Sequence, residues 1–292
     1  MLAYGYTIIC KDALDACVKK DDSLPSIVVE ESSLLSIKEE LKYKLKFFNN
    51  QERELTLYTD RKFTATQRGQ LWTFEIKDVL TLFWYSGTEK IEYIKHENFS
   101  NALLKYWCLH ICLPTFFTIE EKYDFLHAGA VEIDSKLVLF VAESFGGKST
   151  MTDYFLKQGH AMVSDDKVGC YEKEGLFYAV PSHPHHRPHR GVEDLGFYVE
   201  NRAKISKPIH GIYELVKAEA DAPIVINKIS GIEKFKTLRY RSELNLYFLK
   251  SKRFNFLASL AKVVPVYKVT VPWDMERLDE VYKMICDHSR SL

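Results

Sequence analysis

The sequence predicts a mixed α/β (α+β) fold, a phosphate-loop domain with a smaller β-rich domain before it. Three observations predict this. An apolar strand runs into a Gly-Gly-Lys-Ser turn and a helix-compatible segment, a second apolar strand ends in two aspartates, and the chain up to Ile119 is built of short alternating runs.

Residues 137–141, Leu-Val-Leu-Phe-Val, are apolar and mostly β-branched or aromatic, as suits a buried strand. Residues 142–150 form a turn of mostly small residues, and residues 151–158 are helix-compatible. Strand, loop and helix in that order aim backbone N–H groups and a helix N-terminus at an anion. In the pattern Gly-x-x-x-x-Gly-Lys-Ser/Thr, the lysine reaches the β- and γ-phosphates and the hydroxyl holds Mg²⁺. Gly147, Lys148 and Ser149 fit its last three positions, and Ala142 replaces the first glycine. Alanine tolerates positive φ less well than glycine, so the turn is expected to differ there. The candidate nucleotide contacts are Ala142, Ser144, Gly146, Gly147, Lys148, Ser149 and Thr150.

The next strand ends Met162-Val163-Ser164-Asp165-Asp166, after Gly159 as a helix C′ residue. A βαβ crossover brings both strand ends to one sheet edge, with the acidic pair near the phosphates. Carboxylates there hold Mg²⁺ or accept a proton from an attacking hydroxyl. Adjacent residues on a strand face opposite ways, so the two aspartates are expected to have different jobs.

Residues 125–131 (Phe-Leu-His-Ala-Gly-Ala-Val), the 142–150 loop and residues 159–166 together resemble the catalytic domain of the HPr serine kinase/phosphorylase family. The likeness is to its divergent members and covers roughly residues 120–170. It implies that His127, Lys148, Ser149, Asp165 and Asp166 surround a transferred phosphoryl group, and that the protein is a homo-oligomer. Thr150 stands where those kinases usually carry an acidic residue, and Phe145 where they carry a small one. Their Glu-x-Arg-Gly signature has only a faint counterpart, in Arg190-Gly191 followed by Glu193.

At 292 residues the chain has room for a sizeable core. Forty basic and forty acidic residues balance, so no long-range field argues for nucleic acid or anionic membrane, and phosphate recognition must be local. The six cysteines have no Cys-x-x-Cys spacing and read as core residues kept reduced in the cytoplasm. No signal peptide is evident, and the apolar run 107–117 holds His110 and Pro114 and is too short to span a bilayer.

The expected domains are 1–119, β-rich and ending in a helix, and 120–292, the kinase-like part. Runs 26–30, 55–59, 62–66, 71–75 and 90–94 read as antiparallel strands, and residues 98–112 as a helix. Beyond the acidic pair, 170–171 and 176–180 read as strands. Residues 181–190, with four histidines, three prolines and two arginines, exclude a regular helix or central strand. Three readings stand for this run: a transition-metal site, a solvated surface loop, or an active-site loop whose Arg187 and Arg190 clamp substrate phosphate. Residues 208–216 read as a strand, 224–229 as a short helix, 232–240 and 254–262 as helices. Residues 263–271 read as an edge strand broken by Pro265, and 273–286 as an amphipathic closing helix.

The expected function is an ATP-dependent serine kinase-like transferase moving the γ-phosphoryl group to a hydroxyl of a protein, a peptide or a small metabolite. ATP and Mg²⁺ are its expected cofactors. Lys148 neutralises charge and Ser149 and Asp166 hold the metal. Asp165 is the base, though the two aspartates can exchange roles. His127 either tunes the acidic pair, contacts the phosphoryl group or is a core histidine. The alternatives are a nucleotide-gated binding module without catalysis and a phosphoenolpyruvate-carboxykinase-like enzyme.

Overall fold

The computed structural model describes residues 1–10, 23–34, 36–37, 40–47, 53–64, 66–188, 191–244 and 246–292. The chain divides into two compact units. The first takes in Met1–Lys122, Gly191–Leu195 and Leu246–Leu249, and the second holds Tyr123–Arg190, Gly196–Asn245 and Lys250–Leu292.

In the first unit, among the described residues, eight strands make one sheet. They are β1 (Leu2–Ala3), β2 (Tyr6–Cys10), β3 (Ser26–Glu31), β4 (Tyr43–Phe47), β5 (Leu55–Thr59), β6 (Leu71–Ile76), β7 (Leu80–Tyr85) and β8 (Lys90–Lys95). Their order is β1-β2-β3-β8-β7-β6-β5-β4. The expectation of antiparallel pairing fails in part, because β2, β3 and β8 run parallel. The described residues of 62–66 form no strand, and β2, β4 and β7 lie outside the expected runs, although β4, Tyr-Lys-Leu-Lys-Phe, has the alternation of a half-buried strand. In β7 every residue but Tyr85 is buried, so the alternation that marks a half-exposed strand is missing.

Ser100 caps the helix that follows, its side chain accepting the Leu103 N–H at 3.2 Å. The helix does not stop at Cys112. It runs from α1 (Asn101–Trp107) through a π-helical turn (Cys108–Cys112) into α2 (Leu113–Ile119). Pro114 sits at the start of α2, where a missing N–H is tolerated after the wide turn. By length and composition Asn101–Ile119 is apolar enough to cross a membrane, and 72% of that window is buried inside the protein. Glu193 ties the 191–195 segment to this unit, accepting from Arg53 Nε at 2.7 Å and Trp107 Nε1 at 2.9 Å.

The second unit is a three-layer α/β sandwich. Its strands are β9 (Asp124–His127), β10 (Gly129–Ile133), β11 (Lys136–Ala142), β12 (Ala161–Ser164), β13 (Lys167–Lys173), β14 (Leu176–Val180), β15 (His185–His186), β16 (Phe197–Tyr198), β17 (Lys207–Ala218), β18 (Ile226–Ile229) and β19 (Val266–Pro272). Its helices are α3 (Lys148–Lys157), α4 (Gly231–Tyr240), α5 (Lys250–Val263) and α6 (Leu278–Ser291). The main sheet runs β12-β10-β11-β17-β14-β13-β9, with β19 beside β17 and β18 beside β19.

Strand β11 shows why this region reads as a continuous apolar run. Leu137, Leu139 and Val141 face a core that includes Leu238, Leu257 and Leu260 of α4 and α5. Val138, Phe140 and Ala142 face the other core, with Met151 and Phe155 of α3 and Val281 and Ile285 of α6. Both faces are covered, so period-two alternation is erased. Two expectations for the C-terminal third are corrected. Residues 226–229 are a strand, not a helix, and β19 lies between β17 and β18 rather than at an edge. Pro265 stands just before β19, so its missing N–H interrupts no ladder.

Candidate active site

β11 ends at Ala142, and α3 begins at Lys148. The intervening turn closes through the Gly146 N–H, which donates to the Glu143 carbonyl at 2.9 Å. Positive φ falls on Phe145 (60°) and Gly147 (85°), not on Ala142, so the missing first glycine strains nothing. Gly146 is required for another reason: a Cβ there would stand 2.9 Å from the Glu143 oxygen. Gly147 is the N-cap of α3 and provides no side-chain cap, leaving the first helical N–H groups without intrahelical partners. Ser144 and Thr150 are exposed, and Ser149 is half-buried.

Strands β10 and β12 pair antiparallel, and so do β10 and β11, so β12 runs parallel to β11 with β10 between them. The carboxyl ends of β11 and β12 therefore share an edge, one strand farther apart than a simple βαβ unit would place them. The acidic pair is not on the strand itself. It occupies the bend between β12 and β13, and Asp166 has a left-handed φ of 71°. On the partner ribbon, β9 passes into β10 at Ala128, whose N–H donates to the Asp166 carbonyl at 3.1 Å. His127 thus faces the bend.

The bend separates the two aspartates. Asp166 Oδ1 lies 3.1 Å from His127 Nδ1 and 3.5 Å from Lys148 Nζ. Asp165 turns the other way, into the protein. Its Oδ2 accepts the Arg187 N–H at 2.8 Å and lies 3.0 Å from His186 Nδ1. His186 Nε2 is 3.5 Å from Asp153 of α3. Asp165 Oδ1 is buried without a hydrogen-bond partner.

His127 has a second carboxylate beside it, Glu243 Oε1 at 3.0 Å. The strand-like segment after α4 puts it there, with the His127 N–H donating to the Arg241 carbonyl at 2.6 Å and the Glu243 N–H to Phe125. Burial opposes a charged His127, but Asp166 and Glu243 outweigh it and raise its pKa. Burial likewise pushes the Glu243 carboxyl up, and contact with His127, aided by Lys167, brings it below its ordinary value. For Asp165, burial is again opposed by His186, with the net direction downward.

Of the predicted residues, the structure brings Lys148, Asp166 and His127 together, places Asp165 behind them, and sets Ser149 on the first turn of α3 beside Lys148. Arg187 joins through its backbone N–H to Asp165. Arg190 lies outside the described residues. The run 181–188 is no solvated loop, since His183, His185 and His186 are all buried. Burial and the neighbouring His185 push the His183 pKa down to about 3, which keeps it neutral. Among the described residues no group of three His, Cys, Asp or Glu is arranged to hold a metal. Sequence reasoning missed Glu243, which reaches the site only through backbone pairing that no local pattern reveals, and it did not connect His186 of the histidine-rich run to Asp165 and to Asp153 of α3.

No family model matches the sequence, and no curated protein matches it. Among solved structures, the HPr(Ser) kinase/phosphatase from Coxiella burnetii aligns with 12% identity and a TM-score of 0.35, over 57% of this chain and 97% of that one.

Proposed function

We propose that this protein is an ATP-dependent phosphotransferase that moves the γ-phosphoryl group to a hydroxyl, with residues 120–292 carrying the chemistry. The observation that carries the reading is the contact of Lys148, at the uncapped start of α3, with Asp166, which also touches His127. A helix start with exposed N–H groups and a lysine suits a polyphosphate. A carboxylate beside that lysine suits the acceptor hydroxyl.

Asp166 takes the role of base, since its side chain is 20% exposed whereas that of Asp165 is 3% exposed and held from behind. Lys148 neutralises charge on the transferred group. The His127–Glu243 pair fixes the Asp166 carboxylate and keeps a proton nearby. Mg²⁺, when bound, supplies further neutralisation of phosphate charge. The donor set fits that ion, which needs only one or two protein oxygens besides phosphate and water. Ser149, on the first turn of α3, would hold it, leaving Asp166 free to act as base.

The test is Mg²⁺-dependent loss of the γ-phosphate from ATP, with mass spectrometry of serine peptides and small hydroxyl compounds as acceptors. Wild type should transfer, Lys148→Ala should not, and Asp166→Asn should bind ATP without transfer. Normal turnover by Asp166→Asn would remove the base assignment. ATP binding by wild type with neither transfer nor hydrolysis would leave a nucleotide-gated binding module instead.

A further inference from the structure

A nucleotide held by its phosphates also carries a base, and the sheet edge has a place for one. β11, β17 and β19 are parallel neighbours, so their carboxyl ends line one edge. Ligands of open α/β sheets bind outside that edge. The phosphate loop leaves β11 there, and Trp273 follows β19, its N–H donating to the Ala218 carbonyl at 3.1 Å. Between them lies a cavity of about 160 Å³, lined by Gly146, Gly147, Thr150, Leu215, Trp273 and Met275 among others.

The indole of Trp273 is one wall of this cavity. Trp273 is 46% exposed and Met275 70% exposed, and both line the cavity, so an apolar ring entering it would meet accessible indole and thioether surface. The indole is held in place, with the Lys217 ammonium 4.1 Å over its ring. Its benzo edge rests near Gly147, where an added Cβ would come within 3.5 Å of Cζ3. The order β12-β10-β11-β17, with β19 beyond β17, sets Trp273 on the opposite side of the loop from Asp166. An acceptor hydroxyl belongs at Asp166, so the ring on the far side belongs to the donor.

We propose that this cavity is the subsite for the purine base of the nucleotide, stacked on Trp273 with its phosphates at the loop. Asp274 is on the cavity wall with its Oδ1 accepting the Glu276 N–H at 2.9 Å, and its second carboxylate oxygen favours a base edge that presents N–H donors. This rests on the phosphotransfer reading, and the test separates the two. Binding of Mg·ATP and of Mg·tripolyphosphate is measured by calorimetry on wild type, Trp273→Ala, Trp273→Phe and Lys148→Ala.

Trp273→Ala should weaken ATP roughly tenfold or more, as loss of a base–aromatic stack does. It should leave tripolyphosphate unchanged, and Trp273→Phe should recover most of the difference. Lys148→Ala should weaken both ligands. Equal effects of Trp273→Ala on both ligands, or none on either, would overturn the subsite and leave the phosphate site standing. Failure of wild type to bind either ligand would overturn both.

Discussion

Lys148 Nζ lies 3.5 Å from Asp166 Oδ1 with the lysine side chain only 5% exposed, so a buried ammonium depends on a carboxylate at a chain bend. Removing one member of such a pair leaves the other charge uncompensated. Asp166→Ala should lower stability by about 1–3 kcal/mol, the cost of stranding a buried polar group. Adding Lys148→Met should recover part of that loss in urea denaturation. A double variant no more stable than Asp166→Ala would show that the pair is not coupled.

The His127 cluster predicts a pH window for stability. His127 has a raised pKa, so its contribution is complete below the ordinary 6.5 and is lost as pH rises through the higher folded value. Glu243 has a lowered pKa, so its contribution is present above the ordinary 4.5 and is lost as pH falls through the lower folded value. The stability difference between wild type and His127→Gln should therefore be widest in mildly acidic buffer and shrink on both sides. Melting temperatures measured across pH check this, and a difference that keeps growing above neutrality would contradict it.

Asp165 is expected to act through structure. Asp165→Asn places an NH₂ group or a weaker acceptor among the His186 ring and the Arg187 N–H, leaving one buried partner unsatisfied. A loss of about 1–3 kcal/mol follows. Limited proteolysis should find the 181–188 segment cut faster than in wild type. An unchanged digestion pattern would show that Asp165 does not hold this segment.

Gly129 lets α3 approach the sheet. A methyl at this position would collide with Thr152 Oγ1, which donates to the Lys148 carbonyl at 3.0 Å. Gly129→Ala should destabilise by about 1–3 kcal/mol through overpacking and displace Lys148. Gly129→Ala with Thr152→Ala should restore much of the stability, because the colliding hydroxyl is gone. Equal stability of the single and double variants would place the strain elsewhere.

Much of the candidate site was legible because its signals are local. Gly146, Gly147 and Lys148 announce a turn and a helix start, and the turn residues close it as their type requires. Glu243 was not legible, since it lies past a different helix and meets His127 only through backbone pairing with β9. The short helix expected at 224–229 failed for a related reason. Its four apolar positions in six suit either period, and pairing with β19 decided for strand.

The sequence by itself determined the strand, loop and helix that present Lys148, and the adjacency of two aspartates near them. Those features depend on propensities and turn chemistry acting over a few residues. Only the tertiary structure decided that Asp166 meets Lys148 while Asp165 turns to His186, and that Trp273 stands on the same sheet edge as the loop. The first follows from a left-handed φ at Asp166, imposed where two strand ribbons change partners. The second follows from the parallel register of β11, β17 and β19. Register across a sheet is fixed by packing on both faces, and no window of sequence contains it.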